Sequence, residues 1–159
     1  MKISIVCVGK IKEKFLKDGI GEFQKRLSKY CNLEIIEVAD EKTPEHASMV
    51  EEEKIKEKEA SRVEKYLKKD AYIIALEING EMLTSEQLAE KIDRLGITGK
   101  SHIIFLIGGS LGMSQDLLKK ADYRLSFSKM TFPHQMMRMF LLEQIYRSYR
   151  IINGQPYHK

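Results

Sequence analysis

Residues 3–8 are almost all apolar, and the run stops at Gly9. Comparable runs recur at 33–39, 71–76 and 102–107, with a shorter, weakly alternating one at 123–127. Their length and their β-branched residues predict five strands. Between them the apolar positions take helical spacing. Phe15, Ile20, Phe23, Leu27 and Tyr30 predict a first helix, weakened by Gly19 and Gly21. Thr43-Pro44-Glu45 combines a capping residue, a first-turn proline and an acid, and reads as the start of a second. That helix is expected over 45–69, a highly charged stretch with one thin apolar stripe and a solvated face. Asn79-Gly80 reads as a turn. Thr84 or Ser85 caps a helix carrying Leu88, Ile92 and Leu95, which Gly96 and Gly99 close. A short helix is expected at 115–121, and after Pro133 a strongly apolar one at 134–149. Strands alternating with helices predict an α/β fold, a mostly parallel sheet with helices on both faces. The length of 159 residues, without repeat or linker, fits a single domain, 1–159.

The fourth apolar run ends in Ile107-Gly108-Gly109-Ser110-Leu111-Gly112, and a helical pattern follows. A strand that breaks at glycines and restarts as a helix lets backbone approach a flat ligand. The loop lacks the lysine of a phosphate-cradling loop, and its G-G-x-x-G order after the fourth strand does not fit the dinucleotide fingerprint. A purely structural tight turn stays open. A second irregular segment, Phe127-Ser128-Lys129-Met130-Thr131-Phe132-Pro133-His134, follows the fifth strand. In a parallel sheet both loops reach the carboxyl edge, where ligands of open α/β sheets bind. Apolar walls from Leu76, Leu106 and Met130 there suit a purine.

Charge sharpens this picture. The net formal charge is +4, but from Lys119 onward there are eight Lys and Arg against two acids. That surplus points to a polyanionic partner on one face or to an ordinary solvated surface. The two cysteines, Cys7 and Cys31, show neither metal-ligand spacing nor a disulfide framework, which fits a reducing compartment. The short first apolar run, followed at once by Lys10, Lys12 and Lys14, is not a signal peptide, and no run reaches membrane-span length. A cytoplasmic protein is expected, with no membrane partner.

Four motifs in order then matter together. They are the Leu-Ile-Gly-Gly-x-x-Gly strand end, the Ser-x-x-Thr-Phe-Pro-His loop, the Arg-x-x-x-x-Glu-x-x-Tyr-Arg helix and the Pro-Tyr-His-Lys ending. Over essentially its full length the chain resembles the small SPOUT-class methyltransferases, the ribosomal RNA large subunit methyltransferase H family that methylates N3 of a pseudouridine. The resemblance implies an α/β fold with a C-terminal trefoil knot, a homodimer, S-adenosyl-L-methionine as cofactor and no metal. It implies large-subunit 23S ribosomal RNA as substrate, free or in the assembled subunit or ribosome. It also implies a cofactor pocket from Leu76, Gly108, Phe127, Ser128, Lys129, Met130, Thr131 and Phe132.

Such a reaction needs alignment and removal of the proton on N3. His158 and Glu143 are the candidates for taking that proton. Arg147, Tyr157 and Arg138 are candidates for steadying negative charge or phosphate. Glu143 and Arg147, four apart, also suit a plain helix-surface ion pair. His134 is a candidate either for the site or for capping the last helix. That helix is apolar nearly all round, from Met136 to Tyr149, which fits burial on two sides, either across a two-fold dimer or as a fully central helix of a monomer. A non-catalytic RNA-binding protein and a flavodoxin- or dehydrogenase-type nucleotide enzyme are the competing readings.

Overall fold

The computed structural model describes residues 1–159. The elements are β1 (Lys2–Val8), α1 (Lys14–Leu27), β2 (Asn32–Val38), α2 (Met49–Glu64), β3 (Tyr72–Met82), α3 (Ser85–Ile97), β4 (His102–Ile107), α4 (Gln115–Lys119), β5 (Tyr123–Ser126) and α5 (His134–Ile152). The strands form one sheet in the order β2-β1-β4-β3-β5, and every pairing is parallel. The α/β reading with a parallel sheet therefore stands.

Why both faces are covered follows from the two-residue period of a strand. Ile3, Ile5 and Cys7 of β1 join Ile103, Phe105 and Ile107 of β4 in one apolar cluster with α1, α3 and α5. Val6, Val8, Ile104 and Leu106 belong to a second cluster with Ala60 and Val63 of α2 and Leu117 and Leu118 of α4. The runs are continuously apolar because each strand has a core on both sides. Cys7 lies at the centre of this packing with no exposure, and burial pushes its thiol up to about 12.

Two local expectations need correction. Asn79-Gly80 does not end β3. The strand continues to Met82 with a register shift between Leu76 and Glu81 against β5. Gly80 is required there because a methyl group on it would lie 2.6 Å from the Arg124 carbonyl oxygen. Helix α2 does not begin at Thr43-Pro44-Glu45. His46 takes a left-handed φ of 56°, and a capping box between Ser48 and Glu51 starts the helix. The remainder of the chain covers α5 on one side, as expected: Leu141, Leu142, Ile145, Tyr146 and Tyr149 are buried, while Phe140, Glu143, Gln144 and Arg147 stay half-buried. No helix is long and apolar enough to cross a membrane.

Candidate active site

The sheet order places β4 and β3 side by side, with β1 and β5 beyond them. The irregular middle of β3, at Leu76, Glu77 and Ile78, and the loops leaving β4 and β5 consequently surround one cavity of about 780 Å³. Of the pocket residues expected from the sequence, Leu76, Gly108, Phe127, Ser128, Met130, Thr131 and Phe132 line it. Lys129 does not; it is exposed to solvent. Ile107, Leu118 and Leu125 add apolar wall, and Lys56, Glu77 and His134 add polar groups. Burial, with Arg138 as a second cause, lowers the pKa of His134, so a neutral ring faces the cavity near neutral pH.

The glycines act mainly on the loop itself. Gly112 takes a positive φ of 82°, and its N–H donates to the Gly109 carbonyl at 3.0 Å. A methyl group on Gly108 would lie 2.9 Å from the Gly112 carbonyl carbon. One on Gly109 would lie 3.1 Å from both Glu59 Oε1 and Val8 Cγ1. The loop thus folds tightly on itself and onto α2 and β1, and this leaves its outer backbone to line the cavity. Ser126 Oγ donates to the Ser128 carbonyl at 3.1 Å, and the Met130 N–H donates to Ser128 Oγ at 3.0 Å, shaping the second loop.

A second cavity of about 450 Å³ shares the Leu125 and Phe127 wall and is lined by Phe140, Glu143, Gln144 and Arg147. Here the tail folds back. Arg147 donates to Glu143 Oε1 through Nε at 2.9 Å and Nη2 at 2.5 Å. Tyr157 donates its hydroxyl to the same oxygen at 3.2 Å, and its ring lies 4.7 Å from the Arg147 guanidinium carbon. Burial and then Glu143 raise the Tyr157 pKa, so the phenol remains a donor. His158 is held on both nitrogens. Its Nδ1 is 3.0 Å from Arg147 Nη1, and its Nε2 is 2.5 Å from Glu86 Oε1. His158, Tyr157, Glu143 and Arg147, separate candidates in the sequence, form one connected group. Its fifth member, Glu86, was missed. An acid two residues after the capping Thr84 reads as a complement to the helix dipole and carries no other signal.

Arg138 lies elsewhere. It is 1% exposed, 2.5 Å from Glu37 Oε2 and 3.1 Å from the Gly9 carbonyl oxygen. It ties α5 to the ends of β1 and β2 and is not placed to meet phosphate. No group of three or more His, Cys, Asp and Glu is arranged to hold a metal ion.

A family model described as "Predicted SPOUT methyltransferase" matches residues 1–158. The chain is 62% identical over 159 residues to the ribosomal RNA large subunit methyltransferase H of Bifidobacterium adolescentis, covering 100% of both chains. It is 62% identical, again over 100% of both chains, to the protein of the same name from Clostridioides difficile. Among solved structures it resembles a probable methylase family protein from Haemophilus influenzae with a TM-score of 0.57 at 12% identity, over 99% of this chain and 70% of that one. At that identity the likeness concerns the fold.

Proposed function

We propose, since the chain belongs to the SPOUT methyltransferase family, that it methylates N3 of a pseudouridine in large-subunit 23S ribosomal RNA, using S-adenosyl-L-methionine. The names of its full-length relatives support the substrate class. The observation that carries the mechanism is the meeting of Glu143, Arg147, Tyr157 and His158 at the second cavity, which shares the Leu125 and Phe127 wall with one of adenosine-holding size. A volume of about 780 Å³ lies within the range of ~300–1,000 Å³ usual for small-molecule sites. Leu76, Ile107 and Leu125 would hold the apolar faces of the cofactor's adenosine, and the backbone of the two loops its polar edges. Lys56 and Glu77 would face its charged amino-acid end. Bound there, the cofactor supplies a methyl group on a positively charged sulfur.

The chain's own work is proton transfer and charge control. Pseudouridine N3 carries a proton in the neutral base. His158 takes it at Nδ1 and becomes an imidazolium, leaving the electron pair on N3 as the nucleophile. Arg147 yields its contact with Nδ1 and turns to the developing anion, while Glu143 and Tyr157 fix the position from which it turns.

The protein acts as a homodimer in the cytoplasm, where its ribosomal substrate is. Met130 (73% exposed), Ile78 (45%) and Phe132 (36%) line the first cavity and supply apolar surface for a second subunit to cover. Met139, by contrast, packs inward against Gly19 of α1. Phe140→Asp is therefore the informative interface variant, and light scattering should find it monomeric or insoluble; a soluble, active monomer removes the dimer. The trefoil knot belongs to the same reading. After β5 at the sheet edge, the chain crosses back to β1, where Arg138 meets Gly9.

Mass spectrometry of ribosomal RNA from cells with and without the gene tests the activity; an unchanged pseudouridine methylation pattern rejects it. S-adenosylhomocysteine at about 100 times its Kd should stabilise the fold by ~2.7 kcal/mol, a melting shift of roughly 5–11 °C. RNA binding without that shift would favour a non-catalytic RNA-binding protein.

A further inference from the structure

We infer that Glu86 is a positioning residue for His158, fixing which ring nitrogen carries the hydrogen and where the free lone pair points; this rests on the reading of His158 as the proton acceptor. The hydrogen-bond inventory is decisive. A guanidinium has only donors, so with Arg147 Nη1 at 3.0 Å, His158 Nδ1 is the acceptor nitrogen. In a neutral ring the hydrogen is then on Nε2, which donates to Glu86 Oε1 at 2.5 Å. Glu86 is suited to receive it. Its own backbone N–H, at the amino end of α3, and then His158 hold its carboxyl below the ordinary carboxylate range, so it is ionised and purely an acceptor.

The remaining contacts of the tail fix its backbone but not its imidazole. Arg150 Nη2 donates to the Pro156 carbonyl at 2.8 Å. Tyr157 packs edge-on against Tyr146 with centroids 4.9 Å apart. Neither contact distinguishes Nδ1 from Nε2; that is done by Arg147 on one nitrogen and Glu86 on the other. Glu86 is the one carboxylate on Nε2. It leaves the lone pair of Nδ1 toward Arg147 and the second cavity, where that pair becomes available when Arg147 turns to substrate. When Nδ1 accepts the proton from N3, both ring nitrogens become donors and the positive ring stays paired with Glu86. This is the arrangement in which a third group orients a base. The Glu86 side chain is 61% exposed, so the pair adds little to folding stability and its effect falls on orientation.

The test uses full-length protein carrying ¹⁵N-labelled histidine. In the parent, long-range ¹H–¹⁵N spectra should show His158 (assigned by its loss in His158→Ala) with hydrogen on Nε2. In Glu86→Ala only the Arg147 donor remains on the ring, and that preference should weaken measurably. On ribosomal substrate the same variant should lower kcat about 10-fold, a part of the ~10²–10⁴ that a general base contributes, with KM for both substrates unchanged. Glu86→Gln keeps an acceptor oxygen and should restore the tautomer and much of kcat. An unchanged tautomer in Glu86→Ala overturns the inference. So does a kcat within about twofold of the parent while His158→Ala is inactive. If His158→Ala is itself fully active, it is the reading of His158 as base that fails, and the tautomer spectrum alone decides whether Glu86 holds the ring.

Discussion

Replacing Arg138 with methionine separates a brace from a substrate contact. The guanidinium is buried, and its loss orphans the Gly9 carbonyl, which it approaches to 3.1 Å. An unsatisfied buried acceptor costs about 1–3 kcal/mol. Its ion pair with Glu37 is only half-hidden, because the Glu37 side chain is 36% exposed and also accepts the Ile11 N–H at 3.0 Å. That loss belongs near ~1–2 kcal/mol, below the value for a fully buried pair. Against this, Arg138 Nε has no partner, so removing it relieves about 1 kcal/mol of unmet desolvation. Methionine fills most of the space, which keeps the cavity contribution small. The net is about 3 kcal/mol, or a melting point lower by ~6–12 °C for a domain of this size. Thermal melts and urea midpoints of Arg138→Met, Glu37→Gln and the double variant measure it, and the pair should show positive coupling. If Arg138→Met melts within about 2 °C of the parent while ribosomal RNA methylation falls sharply, Arg138 is a substrate contact and the reasoning fails.

Deleting residues 157–159 removes the Tyr157 contacts with Tyr146 and Arg147. The truncation should lower stability by about 1–2 kcal/mol. It should also cut methyl transfer at least ~100-fold while leaving S-adenosylhomocysteine affinity intact; near-normal turnover would move the catalytic assignment to Glu143 and Arg147. Gly109→Ala forces a methyl group to 3.1 Å from Glu59 Oε1 and Val8 Cγ1. Overpacking of ~1–3 kcal/mol should displace the loop and weaken S-adenosylhomocysteine binding by calorimetry, and unchanged affinity would detach this loop from the cofactor. Burial is the first cause depressing both His134 and His102 below 6.5. The unfolded chain therefore takes up these protons first, and stability is complete above about 6.5 and lost as pH falls below it. Urea midpoints at pH 7.5 and 5.5 should show the decline, shallower in His134→Gln; equal midpoints in the parent contradict it.

The sequence announces most of the frame through β1, β3 and β4, whose apolar runs are long enough to need two cores. It misleads where two local signals compete. Thr43-Pro44-Glu45 and Ser48-Met49-Val50-Glu51 both resemble helix starts, and only the second has its reciprocal bonds made. Asn79-Gly80 has the composition of a turn, yet Gly80 is there for the approach of Arg124 from a neighbouring strand. The first cavity is legible because its loops follow strands directly. Of the second group, Glu143, Arg147, Tyr157 and His158 are legible and Glu86 is not, since it lies 72 residues from His158. Arg138 shows the reverse error. Its charge places it among surface cations, while its contacts place it in the core.

The centre of the sheet also carries a built-in clock. Cys7 has no exposure and a thiol pushed to about 12, so an alkylating reagent reaches it only when β1 separates from β2 and β4. Cys31, half-buried beside the start of β2, has a thiol raised to about 11. Modification of the second reports fraying at the amino ends of the strands; modification of the first reports opening of the whole domain. The interval between them reads the gap in free energy between a local breath and global unfolding, in native protein and without any added label.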